Sequence, residues 1–494
     1  MLLEEGNRVR RGAIVVLGLL SAMLIVCNRT PPGESPVSES TPSSELSAIA
    51  APTAAAERPL PPGGAILPDD FTYLGAFRLP DDGDRPRTFE YGGSAMTFRP
   101  DGDPEGEADG FSGSLFIAGH DRLPYGELPD GNQVAEVTIP APVIAGDPAA
   151  LPQAEFLQPF TDVAGGAFVG LEELPRMAML YLDHPQSGAA VHLAFGQHFQ
   201  SDPTQATHGW FSPDLTSPDL QGEWFIDQAS LYSVNGYLLE IPPEWSEAVG
   251  GMPLATGRFR DGGWSGMGPA LYAYLPWQPD GSAPPDGAQL PATALLQYAA
   301  SDVTPEIERA MDGYQHPDEW EGTAWLTTPD GRSAVLFAGT KSVGDKYWYG
   351  FRHPDGPDLP CVEQELIGQF PLCRLADGSP CPETDLAACP GHSDYRGWWS
   401  TAWEGQFILY DPADLAMVAA GEMAPWQPQP YASLSLDPVL LHNPAGVEVE
   451  MLGEGAQRRY QVGELGYDRL NQLLYVLEWF ADGAKPVVHV WRVD

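Results

Sequence analysis

The fold is decided by a stretch that reads Gly322-Thr323-Ala324-Trp325-Leu326, then Pro329-Asp330-Gly331, then Val335-Leu336-Phe337-Ala338-Gly339. A further apolar run at 406–412 follows a long polar loop. Short apolar runs separated by turn residues are typical of antiparallel strands. The segment 334–415 therefore predicts part of one small antiparallel sheet.

The same unit recurs along the chain. Residues 115–119 match its second strand and residues 133–140 match its third. Further copies are 236–242, 294–298 and 486–493. A unit copied along a chain indicates a repeat architecture, and small antiparallel sheets repeated radially form a β-propeller.

Glycine marks the candidate innermost strands of this propeller, which are 92–96, 165–169, 266–271, 322–325 and 465–467. Glycine is unfavourable inside a strand unless two backbones approach closely, as strands around a central axis do. The first strand, 71–79, and the last, 489–493, lack sequential partners, so we expect them to pair and close the ring. The prediction is an all-β single propeller of about six four-stranded blades, with five or seven as alternatives.

Composition agrees with one large β domain. The 494-residue chain is 43% hydrophobic and holds 54 glycines and 51 prolines, which favour frequent turns over long helices. The predicted propeller spans residues 65–494, with an insertion at about 352–400.

The charge is strongly acidic, with 25 basic and 68 acidic residues and a net charge of −43. Such a surface repels phosphates and anionic lipid, so nucleic acid is excluded as a partner. Lysine occurs only at Lys341, Lys346 and Lys485. Adaptation to high salt and the arginine bias of a GC-rich genome both explain this pattern.

The amino-terminal residues predict export. Arg8, Arg10 and Arg11 precede an apolar run at 13–26 that has the proportions of a signal sequence. Leu24-Ile25-Val26-Cys27 resembles a bacterial lipoprotein box, which implies lipidation of Cys27. Val26 is larger than that box prefers, so an uncleaved membrane anchor stays open. We expect residues 28–64, rich in Pro, Ser and Ala, to be a disordered tether that holds the body at the cell surface or in the periplasm.

Four cysteines lie in the predicted insertion: Cys361, Cys373, Cys381 and Cys389. In an oxidising compartment they predict two disulfides, with three possible pairings. A zinc site that includes His392 is the alternative, but the C-x-x-C spacing usual for structural zinc is absent.

Three phrases carry a family resemblance: His208-Gly209-Trp210, the run from His316 to Gly322, and Lys485-Pro486-Val487-Val488-His489-Val490. Together with these phrases, most of the segment 66–494 resembles exported bacterial propellers of the SMP-30, NHL and YVTN kind. It resembles more closely a family of uncharacterised exported bacterial proteins. The resemblance implies the fold and no particular activity.

In a propeller, the loops that enter innermost strands and leave second strands share one face, where ligands usually bind. The candidate ligand-binding residues on this face are Glu90, His120, Asp121, His184, His316, Asp318, Glu319, Trp320, Glu321 and Glu464. Glu90, Glu321 and Glu464 lie near the leading glycines of three blades, which predicts a carboxylate cluster that binds a cation such as Ca²⁺. Solvated surface acids are the alternative explanation.

Residues 316–321 form the densest polar and aromatic stretch. As a strand, it places Glu319 and Glu321 on one side and Trp320 on the other. A functional interpretation makes His316 and the acids ligands or acid–base groups and makes Trp320 a platform for a sugar. In the structural alternative, Trp320 packs between blades and the acids cap a turn.

A second histidine group, His198 and His208, is reminiscent of the histidine ligands in propeller-fold pectate-type lyases. The strand assignment places this group on the opposite face from His316. The two would form one transition-metal site only if that assignment were wrong by one strand. No motif demands a cofactor, and Ca²⁺ or a divalent transition metal are the candidates. Nucleophile-elbow, phosphate-loop and HExxH motifs are absent from the sequence.

These features favour a monomeric, tethered binding propeller whose partner is an extracellular glycan, a small ligand or a cation-bridged surface. The alternative is a metal-assisted polysaccharide lyase or hydrolase that uses Glu319, Glu321, His316 and His198.

Overall fold

The computed structural model describes most of the propeller body. The described residues are 64–81, 83–103, 106, 110–120, 131–169, 176–196, 206–229, 231–258, 265–299, 309–315, 317–348, 366–367, 370–371, 398–445, 447 and 462–494. The predicted leader, the tether and all five cysteines lie outside them.

Short strands dominate this part of the chain, as the turn-rich composition predicts. In chain order the strands are β1 Phe71–Arg78, β2 Met96–Arg99, β3 Ser114–Ala118, β4 Gln133–Thr138, β5 Phe156–Asp162, β6 Arg176–His184, β7 Gly188–Gly196, β8 His208–Phe211, β9 Gln221–Ile226, β10 Tyr237–Glu240, β11 Leu254–Gly257, β12 Leu271–Tyr274, β13 Gln289–Leu290, β14 Ala292–Leu296, β15 Glu319–Thr327, β16 Ser333–Trp348, β17 Leu366–Ile367, β18 Phe370–Pro371, β19 Trp398–Tyr410, β20 Ala432–Ser435, β21 Val462–Asp468, β22 Leu473–Asp482 and β23 Lys485–Val493.

Helices are few and short in the described residues. The α-helices are α1 Pro243–Ser246 and α2 Pro412–Ala419, and 3₁₀ turns occur at Pro68–Asp70, Pro148–Ala150, Leu231–Ser233 and Glu247–Val249. Asp411 caps α2 by accepting a hydrogen bond from the Ala413 amide at 2.8 Å. No helix in the described ranges has the length and apolar character needed to cross a membrane.

The strands form five four-stranded blades around one axis. From the innermost strand outwards the blades are β2-β3-β4-β5, β6-β7-β8-β9, β10-β11-β12-β14, β15-β16-β19-β20 and β21-β22-β23-β1, in which adjacent strands are antiparallel. The innermost strands contact one another in the order β2, β6, β10, β15, β21 and back to β2. The all-β propeller prediction is therefore confirmed.

The predicted number of about six blades is wrong, because two glycine-led segments are not innermost strands. Residues 165–169 form turns before β6, and residues 266–270 form the loop that leads into β12, the third strand of its blade. Gly165, Gly166, Gly266 and Gly268 all have positive φ. At these positions glycine allows a loop backbone with positive φ, and it does not mark a close approach of two strands.

In two of the true innermost strands, β15 and β21, a glycine does allow the backbone of a neighbouring strand to come close. A Cβ on Gly322 of β15 would lie 2.9 Å from the Leu465 nitrogen of β21. A Cβ on Gly466 would lie 3.1 Å from the Phe98 nitrogen of β2. The predicted role of glycine near the axis is confirmed for these two strands.

The ring is closed by the two ends of the described chain. β1 pairs antiparallel with β23, with Phe71 opposite Val493 and Phe77 opposite Val488. β1 thus becomes the outermost strand of the last blade, as the unpartnered terminal strands predict.

The hydrophobic core lies between blades. Five clusters of buried side chains each join two neighbouring blades, for example Tyr237, Trp320, Trp325 and Phe337 between the third and fourth. Each sheet is therefore covered on both faces. This explains why the strands have continuous apolar runs where a half-exposed sheet shows alternation.

Candidate functional site

The propeller has two faces at its axis. On the entry face the innermost strands begin and the second strands end, and on the exit face the innermost strands end. All described residues named below are assigned to a face by this strand direction.

Two glutamates on the entry face occupy β-bulges of neighbouring innermost strands. In β15, Trp320 is opposite Gly339 and Gly322 is opposite Ala338, so Glu321 is an extra residue. In β21, the pairing with β22 shifts between Val462 and Leu465, around Glu464. Bulges re-aim side chains and are frequent beside functional sites.

These two glutamates are buried and adjacent. The relative exposure is 4% for Glu321 and 0% for Glu464. A Cβ on Gly322 would lie 3.1 Å from the Glu464 Cα, so the two strands touch at this level. The Leu465 amide donates to Glu464 Oε1 at 3.2 Å. The bulges thus place two buried glutamates on neighbouring innermost strands at the entry face.

The charge of Glu464 also acts on the third blade. The Tyr237 hydroxyl, at the start of β10, donates to the Ala270 carbonyl oxygen at 2.7 Å. Burial raises the pKa of Tyr237 well above its usual value, and the negative charge of Glu464 raises it further. Tyr237 therefore stays protonated and acts as a fixed hydroxyl near the carboxylates.

The third blade adds buried hydrogen-bond donors on this face. Arg258, which follows β11, is 2% exposed and directs Nη1 to Asn235 Oδ1 at 3.4 Å. The Tyr232 ring lies 5.6 Å from the guanidinium carbon. Sequence reasoning missed these residues because it assigned 236–242 to a third strand, whereas β10 is innermost.

Asp318 is fully engaged in structural contacts. Its oxygens each accept a hydrogen bond from Lys341 Nζ at 2.9 Å. They also accept from the Ser342 amide at 2.9 Å and the Gln315 amide at 3.0 Å. Asp318 therefore fixes the chain before β15 to β16 and is not a ligand group.

Replacement of Asp318 by alanine is expected to lower the free energy of unfolding by about 3 kcal/mol, because it leaves the Lys341 ammonium uncompensated in a mostly buried position. Urea denaturation measures this loss. The double variant Asp318→Ala/Lys341→Met should recover part of it. Equal stability of Asp318→Ala and the wild type would contradict the assignment.

The positions of Trp320 and Glu319 do not agree with the functional interpretation of residues 316–321. Trp320 is 1% exposed within the core between the third and fourth blades, so it offers no ring face to a ligand. Glu319 is the first residue of β15 and is partly exposed. The predicted common side of Glu319 and Glu321 is wrong, because the bulge at Glu321 interrupts the alternation.

Glu90 and His120 lie on the entry face of the first blade. Glu90 is exposed on the loop before β2, apart from the buried pair, and its amide donates to Thr88 Oγ1 at 3.1 Å. His120 lies two residues after the end of β3, is 3% exposed, and its ring lies 5.7 Å from the Tyr91 ring. Of the three glutamates of the predicted cluster, Glu321 and Glu464 are buried and Glu90 is exposed.

His184 lies on the opposite face from its prediction. It ends β6, an innermost strand, and not a second strand. Its ring lies 4.4 Å from the Trp277 ring, and its Nδ1 accepts from the Gln186 amide at 3.2 Å.

His208 has the contacts of a structural histidine. Its Nδ1 shares a hydrogen bond with Thr207 Oγ1 at 2.8 Å, and its Nε2 shares one with Thr256 Oγ1 at 2.9 Å. Asp121, His198 and His316 lie outside the described residues. Within the described ranges, no group of three or more His, Cys, Asp or Glu side chains has the geometry to hold a metal ion.

The exit face is bridged by Arg469, which follows β21. Its Nη1 donates to the Trp325 carbonyl oxygen and to Thr327 Oγ1, both at 3.0 Å, and its Nη2 donates to Glu240 Oε2 at 3.2 Å. Burial raises the pKa of Tyr467, beneath the guanidinium, to about 12. Arg469 thus ties three innermost strands at the exit end of the axis, in a depression lined by residues that include Thr97, Glu240 and Tyr467.

No protein-family model matches this chain, and no curated protein sequence matches it. The β-propeller fold is shown by the structure alone.

Proposed function

We propose that this protein is an exported, membrane-tethered β-propeller that binds an extracellular glycan at the entry-face mouth of its channel. One observation carries the proposal: Glu321 and Glu464 are buried side by side in two bulges of neighbouring innermost strands. The other three blades have no such bulge, since β2, β6 and β10 pair with their second strands without a register shift.

The energetic argument concerns the cost of this pair. Burial of a carboxylate carries a desolvation cost, and two glutamates are buried at this mouth. Groups that cost stability without serving packing are characteristic of binding and catalytic sites. The pair therefore supports a binding role for this mouth.

The surrounding groups match a polyhydroxylated ligand. Glu90 is exposed at this mouth and provides an acceptor for hydroxyl groups, whereas the buried Glu321, Glu464, Arg258 and Asn235 lie beneath it and set its charge. The net charge of −43 repels polyanions. We therefore propose a neutral glycan.

The remaining parts of the proposal concern the residues outside the described ranges. Residues 1–27 direct export, with Cys27 as the lipidated residue, and 28–64 act as the tether. Cys361, Cys373, Cys381 and Cys389 form two disulfides in the insertion. The resemblance to SMP-30, NHL and YVTN propellers supports this exported architecture.

Affinity electrophoresis tests the function. The wild-type protein is run through gels that contain neutral β-glucan, α-glucan or mannan, and through gels that contain an acidic polyuronate. Retardation by a neutral polysaccharide alone is expected. Glu464→Gln and Glu321→Gln should each weaken binding about tenfold, because each removes a negative charge that lies beneath the mouth. Their melting temperatures should not fall, since a buried charge is removed.

Glu240→Gln is the matched control, because Glu240 lies on the exit face and pairs with Arg469 at 3.2 Å. It should bind as the wild type does. Loss of binding on chelation of Ca²⁺ would instead indicate a cation-bridged ligand. Cleavage of the polysaccharide with stoichiometric manganese, zinc or iron in the purified protein would favour the lyase or hydrolase alternative. Unchanged affinity in both glutamate variants would overturn the proposed site.

A further inference from the structure

Three bulky residues adopt left-handed backbone where the closing blade meets the first blade on the entry face. They are Tyr91 with φ 58°, Phe480 with φ 54° and His442 with φ 48°. This conformation is unfavourable for side chains with a Cβ, and such strain gathers at functional sites.

Local contacts explain two of these residues. The His442 amide donates to Glu478 Oε1 at 2.7 Å, so its backbone satisfies a buried carboxylate. The Phe480 ring is 4% exposed and contributes to the core. Tyr91 differs, because its side chain stays partly exposed on a loop whose backbone conformation glycine would adopt without strain.

Contacts on several sides hold the Tyr91 ring in place. Its amide donates to the Ala484 carbonyl oxygen at 2.8 Å. The ring lies 5.7 Å from His120 and 6.1 Å from Phe480, with an edge-on arrangement to the latter. Glu90, next in the chain, is exposed beside it. The result is an aromatic ring on a rigid base with a carboxylate at its side.

This aromatic group adjoins the buried carboxylates. Trp479, which precedes Phe480, donates from Nε1 to the Gly93 carbonyl oxygen at 2.9 Å. A Cβ on Gly463 would lie 2.2 Å from the same Nε1, and Gly463 directly precedes Glu464. A chain of contacts therefore runs from Glu464 through Trp479 and Phe480 to Tyr91.

We infer that Tyr91 is the stacking platform of a second sugar subsite, so that the ligand is an oligosaccharide chain extending from the channel mouth to the first blade. The inference rests on the proposed glycan-binding function. Aromatic faces pack against the apolar C–H face of a sugar ring, and the exposed Glu90, next in the chain, offers carboxylate acceptors for the sugar hydroxyl groups. The subsite gives a role to a strained aromatic residue that stays partly exposed.

Isothermal titration with neutral β-glucan, α-glucan and mannan oligosaccharides of one to six units tests this subsite. For the series that binds, the wild-type affinity is expected to rise with chain length. Tyr91→Gly should bind the longer members about tenfold more weakly and lose most of this rise, because the stacked ring is gone. Tyr91→Phe, which keeps the ring, should retain it.

Thermal melts separate a binding role from a packing role. The melting temperature of Tyr91→Gly should change by only about 2 °C, because the relief of backbone strain offsets the lost ring contacts with His120 and Phe480. A lower melting temperature with unchanged chain-length dependence would overturn the inference and assign Tyr91 to packing. Wild-type protein that binds short and long oligosaccharides equally would also overturn it while leaving the proposed function intact. Absence of binding to every neutral glycan would refute the proposed function itself.

Discussion

Acidification from pH 6.5 to pH 4.5 is expected to lower the free energy of unfolding by about 5 kcal/mol, because two buried histidines are neutral in the folded state. His192 and His208 are each 1% exposed. Burial lowers the pKa of both to about 3, with smaller contributions from His184 to His192 and from His192 to His208. No hydrogen-bond partner reaches either ring nitrogen of His192 among the described residues.

The sign follows from proton binding in the two states. In the unfolded chain these histidines take up a proton near pH 6.5, whereas in the fold they take it up only near pH 3. Stability is therefore complete above pH 6.5 and falls as the pH decreases towards 3. Each histidine contributes about 1.4 kcal/mol per pH unit over this window. The measurement stops at pH 4.5 because the ordinary pKa values of Asp and Glu, near 4, lie below that pH.

Urea denaturation at pH 6.5 and pH 4.5 measures the difference. His192→Phe should remove about half of the pH dependence and leave the fold at least as stable at pH 6.5, since it replaces a polar ring that has no partner. Tyr274→Phe is the matched control, because the Tyr274 ring lies 5.5 Å from His208 and does not titrate in this range. An unaltered pH dependence in His192→Phe would contradict the explanation.

The sequence predicted the propeller and its closure because both leave local signals. The apolar runs of the fourth blade and the terminal strands need partners on both sides, and only a ring provides them. The number of blades had no such signal. Gly322 allows two strands to approach, whereas Gly166 and Gly268 adopt positive φ in loops. Because glycine serves both purposes, the sequence does not show which glycines belong to innermost strands.

The site was predicted in part for a similar reason. Glu321 and Glu464 were found because they neighbour the glycines of true innermost strands. The bulge that buries Glu321 has no sequence signature, so alternation placed it on the side of Glu319. His184 was assigned to the wrong face because one misplaced strand reverses the direction of its neighbours. Arg258 was missed because residues 236–242 were assigned to a third strand, whereas β10 is innermost.

Removal of β1 is expected to abolish cooperative folding, because this one strand completes the last blade. Phe77 and Ala76 are at most 1% exposed. Phe77 packs in the core between the last and first blades, and Ala76 packs with Leu151, Ala481 and Val487. Seven residue pairs join β1 to β23, from Phe71–Val493 to Arg78–Val487. Without β1, the edge of β23 and the apolar side chains beneath it become exposed to water.

The strand also completes a buried polar chain. The Tyr73 hydroxyl shares a hydrogen bond of 2.9 Å with His489 Nδ1, and His489 Nε2 shares one of 2.7 Å with Glu478 Oε2. Loss of Tyr73 leaves the buried His489 with one partner fewer, which adds a polar penalty to the loss of apolar burial.

Two shortened chains separate the role of β1 from that of the residues before it. A chain that begins at Gly64 should unfold cooperatively in urea, as the full-length protein does, when followed by tryptophan fluorescence and circular dichroism. A chain that begins at Pro80 should show no cooperative transition, and addition of a peptide of residues 64–79 should restore it. A cooperative transition at the same urea concentration in the chain from Pro80 would show that the ring closes without β1. Such a result would remove the closed ring on which the positions of Glu321, Glu464 and Tyr91 depend.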